Sequence, residues 1–244
     1  MALAPDRLPQ TLEERQAALH AIDTDIHQDL VGGHKSLLPY MEKKWHPFVE
    51  AGVGFAARGW HNMGSGRMED SVNEADNTCA GDPDWVVEKL MKKYQVDIGI
   101  LTGGMAGAGI QHNPRFLAAL VSAYNDYFLD RWIRQYDCFK GSIVVTPQDA
   151  EAAAREIHRL GKEKGMVQVL MSSAARIPYG QHYYWPIYAA ACDYDLPVAI
   201  HVGAEGTGIA NAPTSVGYPS TYLEFHSDHS QTMMGHCSSM LSEG

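Results

Sequence analysis

Polar and apolar positions alternate along AIDTDIHQDL, residues 21–30, with Asp23, Asp25 and His27 at every second place and Ile22, Thr24 and Ile26 between them. Alternate side chains of a strand share one face, so three hydrogen-bonding or metal-competent groups point the same way. Four more short apolar runs follow: VDIGILT (96–102), GSIVV (141–145), MVQVLM (166–171) and PVAIHVG (197–203). Each run is followed by a loop and then a helical pattern. After the second comes NPRFLAALVSAYNDYFLDRW, where Asn113 can cap, Pro114 suits the first turn, and Leu117, Leu120, Val121, Tyr124 and Phe128 keep helical spacing. After the third, Thr146-Pro147 starts a helix that stops near Gly165. The fourth leads through Pro178-Tyr179-Gly180 to a helix around residues 185–194, and the fifth to a final helix from about Ser220 to Ser242.

Five β-then-α units in series predict a parallel sheet with helices packed outside it. More than fifty residues separate the first strand from the helix begun by Asp82-Pro83; they include a helical SLLPYMEKKWHPFVE and a Gly-rich polar stretch from Gly59 to Gly81. An excursion of that length reads as a lid or binding loop. We therefore divide the chain into an N-terminal extension, residues 1–20, and one α/β domain, 21–244, with an insertion at about 28–81. Five units can form an open doubly wound sheet but not a closed eight-stranded barrel.

Composition narrows the partners. Hydrophobic residues make up 45 % and charged residues 20 % of 244, an ordinary globular balance. The net charge of −10 argues against nucleic acid and anionic membranes, both of which call for a basic surface. The expected ligand is a small molecule or another protein. Cys79, Cys138, Cys192 and Cys237 form no CxxC pair, and the first twenty residues lack a signal-peptide core, so a reducing cytoplasm is the expected setting.

Ligands of parallel α/β folds sit at the carboxyl ends of the strands. Asp25 and His27 close the first strand, and His201 lies toward the end of the fifth in an otherwise apolar run. A buried imidazole needs a partner, and a metal held by Asp25, His27 and His201 would supply one, leaving a position open for water or substrate. Asp23, deeper along the first strand, is expected to orient a neighbour by hydrogen bonds. On spacing alone the same residues also fit satisfied structural roles, because short motifs match by chance. GGMAGAG (103–109) offers backbone N–H groups to an anion but matches neither a Walker loop nor GxGxxG after the first strand, so a plain loop is favoured. GAEGTG after His201 invites the same reading, although Glu205 could face a ligand. Arg58, Arg67 and Arg176 lie in loops and could clamp a substrate carboxylate; Arg176, after the fourth strand, is the one we single out. His226, His229 and His236 fall roughly on one face of the last helix, where solvated or capping roles are favoured over a metal site.

IDTDIHQDL with LLPY, then NPRFLAALVSAYNDYFLDRW, GSIVVTPQD, PYG and PVAIHVGAEG resemble, in order, the amidohydrolase-related family that includes aminocarboxymuconate-semialdehyde decarboxylase and the resorcylate-type decarboxylases. The resemblance implies a metal-dependent (β/α)8 barrel of which this chain carries the first five units. Two family ligands on the first strand match Asp25 and His27, with Asp where HxH is frequent, and a third at a later strand end matches His201. The remaining metal carboxylate and the catalytic residue are expected beyond Gly244. The implied cofactor is a divalent metal, zinc foremost, with manganese or magnesium open. The implied activity is nonoxidative decarboxylation of an aromatic or unsaturated carboxylate. Hydrolysis of an ester, lactone or amide is the alternative. A rival of another class is an inactive barrel remnant whose open edges favour association with a partner or a second copy.

Overall fold

The computed structural model describes residues 21–52, 69–103, 112–203 and 221–243. Five parallel strands form a curled sheet: β1 (Ala21–Ile26), β4 (Val96–Leu101), β5 (Phe139–Val144), β6 (Met166–Ser172) and β7 (Val198–His201), in the order β1-β4-β5-β6-β7. Spatial order thus follows chain order, the pattern of a barrel rather than of a doubly wound sheet, in which the order reverses. Between β1 and β4 lies a small antiparallel ribbon of β2 (Val72–Asn73) and β3 (Thr78–Cys79). Each expected strand is present to within a few residues.

The α-helices among the described residues are α1 (His46–Glu50), α2 (Pro83–Val86), α3 (Lys92–Tyr94), α4 (Pro114–Phe128), α5 (Ala150–Leu160), α6 (Trp185–Cys192) and α7 (Tyr222–Glu243). Asn113 caps α4 by accepting from the Phe116 N–H, and Asp82 caps α2 by accepting from that of Trp85, as the sequence predicts. The helix expected from Thr146-Pro147 begins later. Asp149 accepts from the Ala152 N–H and caps α5, while the Thr146 hydroxyl accepts from the Gln148 N–H in a local turn. A carboxylate is the stronger cap and sets the start. SLLPYMEKKWHPFVE is only partly α-helical. Gly33–Tyr40 and Lys43–Trp45 are 3₁₀, with Pro39 inside the first, because a residue lacking an N–H cannot sustain an α ladder.

The core lies between the sheet and its helices, where Phe116, Leu117 and Leu120 of α4, Trp132, Phe139, Ile143, Val169 and Ile157 are fully buried. β1 and β7 are the sheet's outer strands; Ile22 of β1 is 59 % exposed. No helix among the described residues is long and apolar enough to cross a membrane.

α7 docks on the loop after β6. His236, buried, accepts at Nδ1 from the Tyr179 N–H (3.3 Å), donates from Nε2 to the Ser173 carbonyl (2.9 Å) and stacks on the Tyr179 ring. Those bonds assign it a neutral tautomer and a structural role. Gly180 donates to Ser239 Oγ (3.1 Å), and a Cβ placed there would stand 2.1 Å from the Ser239 carbonyl oxygen. Backbone cannot yield as a side chain can, so Gly180→Ala is expected to lift α7 off this seat and cost about 2–3 kcal/mol. Urea unfolding followed by circular dichroism checks it; an unchanged midpoint would contradict this packing account.

Candidate metal centre

Asp25 and His27 lie at the carboxyl end of β1, and His201 is the last residue of β7, opposite Ser172 at the end of β6. Although 174 residues apart, His27 Nε2 and His201 Nε2 are 2.8 Å from each other. Asp25 Oδ1 lies 3.2 Å from each of these nitrogens. Among the described residues this is the group of three or more His, Cys, Asp or Glu side chains whose donor atoms converge closely enough to hold a metal ion.

Each side chain reaches the triad for a local reason. β1 advances three residues, Asp23 to Ile26, while β4 advances two, Gly99 to Leu101, an irregularity of the bulge kind that re-aims side chains next to it. The Ile26 carbonyl accepts from the N–H groups of both Thr102 and Gly103, which tie the end of β1 to β4. Asp23 Oδ1 accepts from the Asp25 N–H (3.0 Å), a local bond to the backbone of its neighbour. His201, with its side chain 15 % exposed, donates from Nδ1 to the Val202 carbonyl, which leaves the Nε2 lone pair facing the triad. Gln28, the next residue after His27, is buried, its amide within reach of the Tyr124 hydroxyl (3.4 Å).

Electrostatics favour an anion at Asp25. The His201 and His27 rings against Asp25 hold its carboxyl well below the usual carboxylate range, with a smaller contribution from the Thr102 hydroxyl, and together they outweigh the opposing effect of partial burial. One carboxylate and two imidazoles with Nε2 turned inward form a donor set suited to a borderline or hard divalent ion.

The other residues singled out fare differently. Arg176 is exposed at the carboxyl end of the sheet, where its guanidinium donates to Gln148 Oε1 (3.3 Å) in the loop after β5; that bond ties it to a neighbouring loop rather than to the triad. Glu205, Arg58, Arg67 and most of GGMAGAG lie outside the described residues. His226 and His229 place their rings 5.3 Å apart on α7 and are not members of the converging group. Thr102 is a contact that sequence reasoning misses: its hydroxyl donates to Asp25 Oδ1 at 2.7 Å. The only trace of it in the sequence is a hydroxyl closing the run VDIGILT beside the strand that carries Asp25.

Comparison with known proteins agrees with this architecture. A gamma-resorcylate decarboxylase of Polaromonas sp. strain JS666 is 32 % identical over 84 residues, 32 % of this chain and 26 % of that protein. Among solved structures, 5-carboxyvanillate decarboxylase from Novosphingobium aromaticivorans, with bound manganese and 3-methoxy-4-hydroxy-5-nitrobenzoic acid, matches with a TM-score of 0.61 at 20 % identity, covering 89 % of this chain and 60 % of its own. The 2,6-dihydroxybenzoate decarboxylase from Rhizobium matches with a TM-score of 0.58 at 14 % identity, covering 93 % of this chain and 62 % of its own. At such identities the likeness speaks for the fold, a partial (β/α) barrel, and the chain spans about three fifths of the length of these structures. The amidohydrolase family model matches residues 22–240, and the chain belongs to the amidohydrolase family.

Proposed function

We propose that this chain is part of a metal-dependent decarboxylase acting on an aromatic carboxylate, with Asp25, His27 and His201 as metal ligands. The observation that carries the proposal is the convergence of those three side chains at the carboxyl ends of β1 and β7 in a chain of the amidohydrolase family. The names of its relatives, decarboxylases of resorcylate, carboxyvanillate and dihydroxybenzoate, supply the substrate class.

A carboxylate beside two imidazoles suits a hard or borderline divalent ion. The manganese bound in the 5-carboxyvanillate decarboxylase supports manganese over zinc, the metal expected first from the resemblance. A divalent ion supplies Lewis-acid polarisation of substrate oxygens. Asp25 contributes the negative charge of the set, and the Val202 carbonyl keeps the His201 ring in the tautomer that presents Nε2. Arg176, whose guanidinium can pair with a carboxylate, is assigned to an incoming substrate, and Glu205 is kept as a second substrate contact. The proton that replaces carbon dioxide on the ring carbon is assigned to a donor outside the three ligands.

Incubation of the manganese-treated, exhaustively dialysed chain with 2,6-dihydroxybenzoate and 5-carboxyvanillate tests the reading. The expected result is about one equivalent of manganese by elemental mass spectrometry and release of carbon dioxide. Metal binding with solvent oxygen incorporated into an ester, lactone or amide substrate, and no carbon dioxide, would favour the hydrolytic alternative. Failure to retain any divalent metal would overturn the site.

A further inference from the structure

We infer that Thr102 is a positioning residue of the metal centre: its hydroxyl holds the Asp25 carboxylate in the orientation that presents Oδ1 to both imidazoles. The inference rests on the metal reading above and concerns a residue outside the ligand set.

Asp25 needs such a restraint. Its side chain is 57 % exposed, so packing alone does not fix its rotamer. The uneven step of β1 along β4 removes it from a regular ladder, so the strand does not set its aim either. Thr102, by contrast, is 3 % exposed and is anchored through its own N–H to the Ile26 carbonyl (3.0 Å). Its Oγ1 stands 2.7 Å from Asp25 Oδ1 and 3.2 Å from the Ile26 carbonyl oxygen. A hydroxyl has one proton to donate, and the shorter contact, to a charged acceptor, takes it. The Ile26 carbonyl already accepts two backbone N–H groups and loses little by this.

The carboxylate oxygen that Thr102 grips is the one both histidines face. One lone pair of Oδ1 is thereby committed to a buried, rigid donor, and the oxygen is held on the side of the imidazoles. Gly103 follows Thr102 directly. Its backbone sits at φ +62°, and a Cβ would stand 1.6 Å from the Tyr124 hydroxyl.

The test is manganese affinity, measured by titration calorimetry on the parent chain, Thr102→Val, Thr102→Ala and Thr102→Ser, with circular dichroism as the check on folding. Thr102→Val and Thr102→Ala are expected to bind about 10–100-fold more weakly, and Thr102→Ser, which keeps the donor, to stay close to the parent. A purely structural role would instead lower the thermal midpoint of the metal-free variants without this split between Ser and Val. Parent-like affinity in folded Thr102→Val or Thr102→Ala, with His201→Ala losing the metal, overturns the positioning role and leaves the metal site standing. Equal weakening in Thr102→Ser overturns the role of the hydroxyl. A parent chain that binds no manganese overturns the metal site and this inference with it.

Discussion

His201→Ala is expected to lower manganese affinity by more than ~100-fold while leaving the fold intact. His201 is the ligand most completely prepared for binding. Its ring is largely buried at the end of β7, its Nδ1–H is committed to the Val202 carbonyl, and its Nε2 faces both Asp25 and His27. Alanine leaves two of the three converging donors, Asp25 and His27, which stand two residues apart at the end of β1. The loss should appear in two ways: metal content after dialysis falls to background, and the thermal stabilisation that a tightly bound ion gives the native state disappears. His226→Ala is the matched control, since that histidine lies on α7 outside the converging group. Unchanged metal content in folded His201→Ala would refute the assignment.

The second large effect is on stability. Asn125→Leu is expected to cost about 3–5 kcal/mol. β4 pairs with β5 only as far as Gly141, so Val144 at the end of β5 has no strand beside it on that side. The Asn125 side chain from α4 takes the strand's place. Its Oδ1 accepts from the Val144 N–H and its Nδ2 donates to the Val144 carbonyl, both at 3.0 Å, as a neighbouring peptide group would. The same Nδ2 donates to Glu156 Oε1 (2.7 Å), whose carboxylate is bound in turn by Arg159. Leucine fills the volume but strands a buried N–H, a buried carbonyl and one acceptor of a nearly buried carboxylate. Urea unfolding measures the loss, and a cost below ~1 kcal/mol would mean that water replaces the amide.

Residues whose role is set by neighbours in the chain are legible in the sequence. The five apolar runs become β1, β4, β5, β6 and β7, because a strand covered on its faces must be apolar along its own length. Asn113 and Asp82 are legible as caps because a cap acts three residues away. Asp25 and His27 are legible as a pair because the two-residue period of a strand puts them on one face. The start of α5 is harder to place for a related reason: two capping groups, Thr146 and Asp149, compete within four residues, and only the geometry of the turn shows which one reaches an N–H of the helix.

Contacts between distant segments carry no such signal. The β2–β3 ribbon has two residues per strand, too few for a periodic pattern, and is tied to the β1 loop where Asp29 exchanges bonds with Cys79. Thr102 and Asn125 are ordinary members of a strand end and a helix until β1 and β5 come to lie beside them. His201 stands out in its apolar run as a histidine in need of a partner, and the run says no more than that. The pattern of apolar positions, acting over a few residues, set the strands, the helices and the face on which Asp25 and His27 stand. Bringing His201 across 174 residues to within 2.8 Å of His27 took the curl of the whole sheet. Aiming Asp25 at both took an irregular register and a hydroxyl from the next strand, because an exposed carboxylate takes its direction from the groups that grip it.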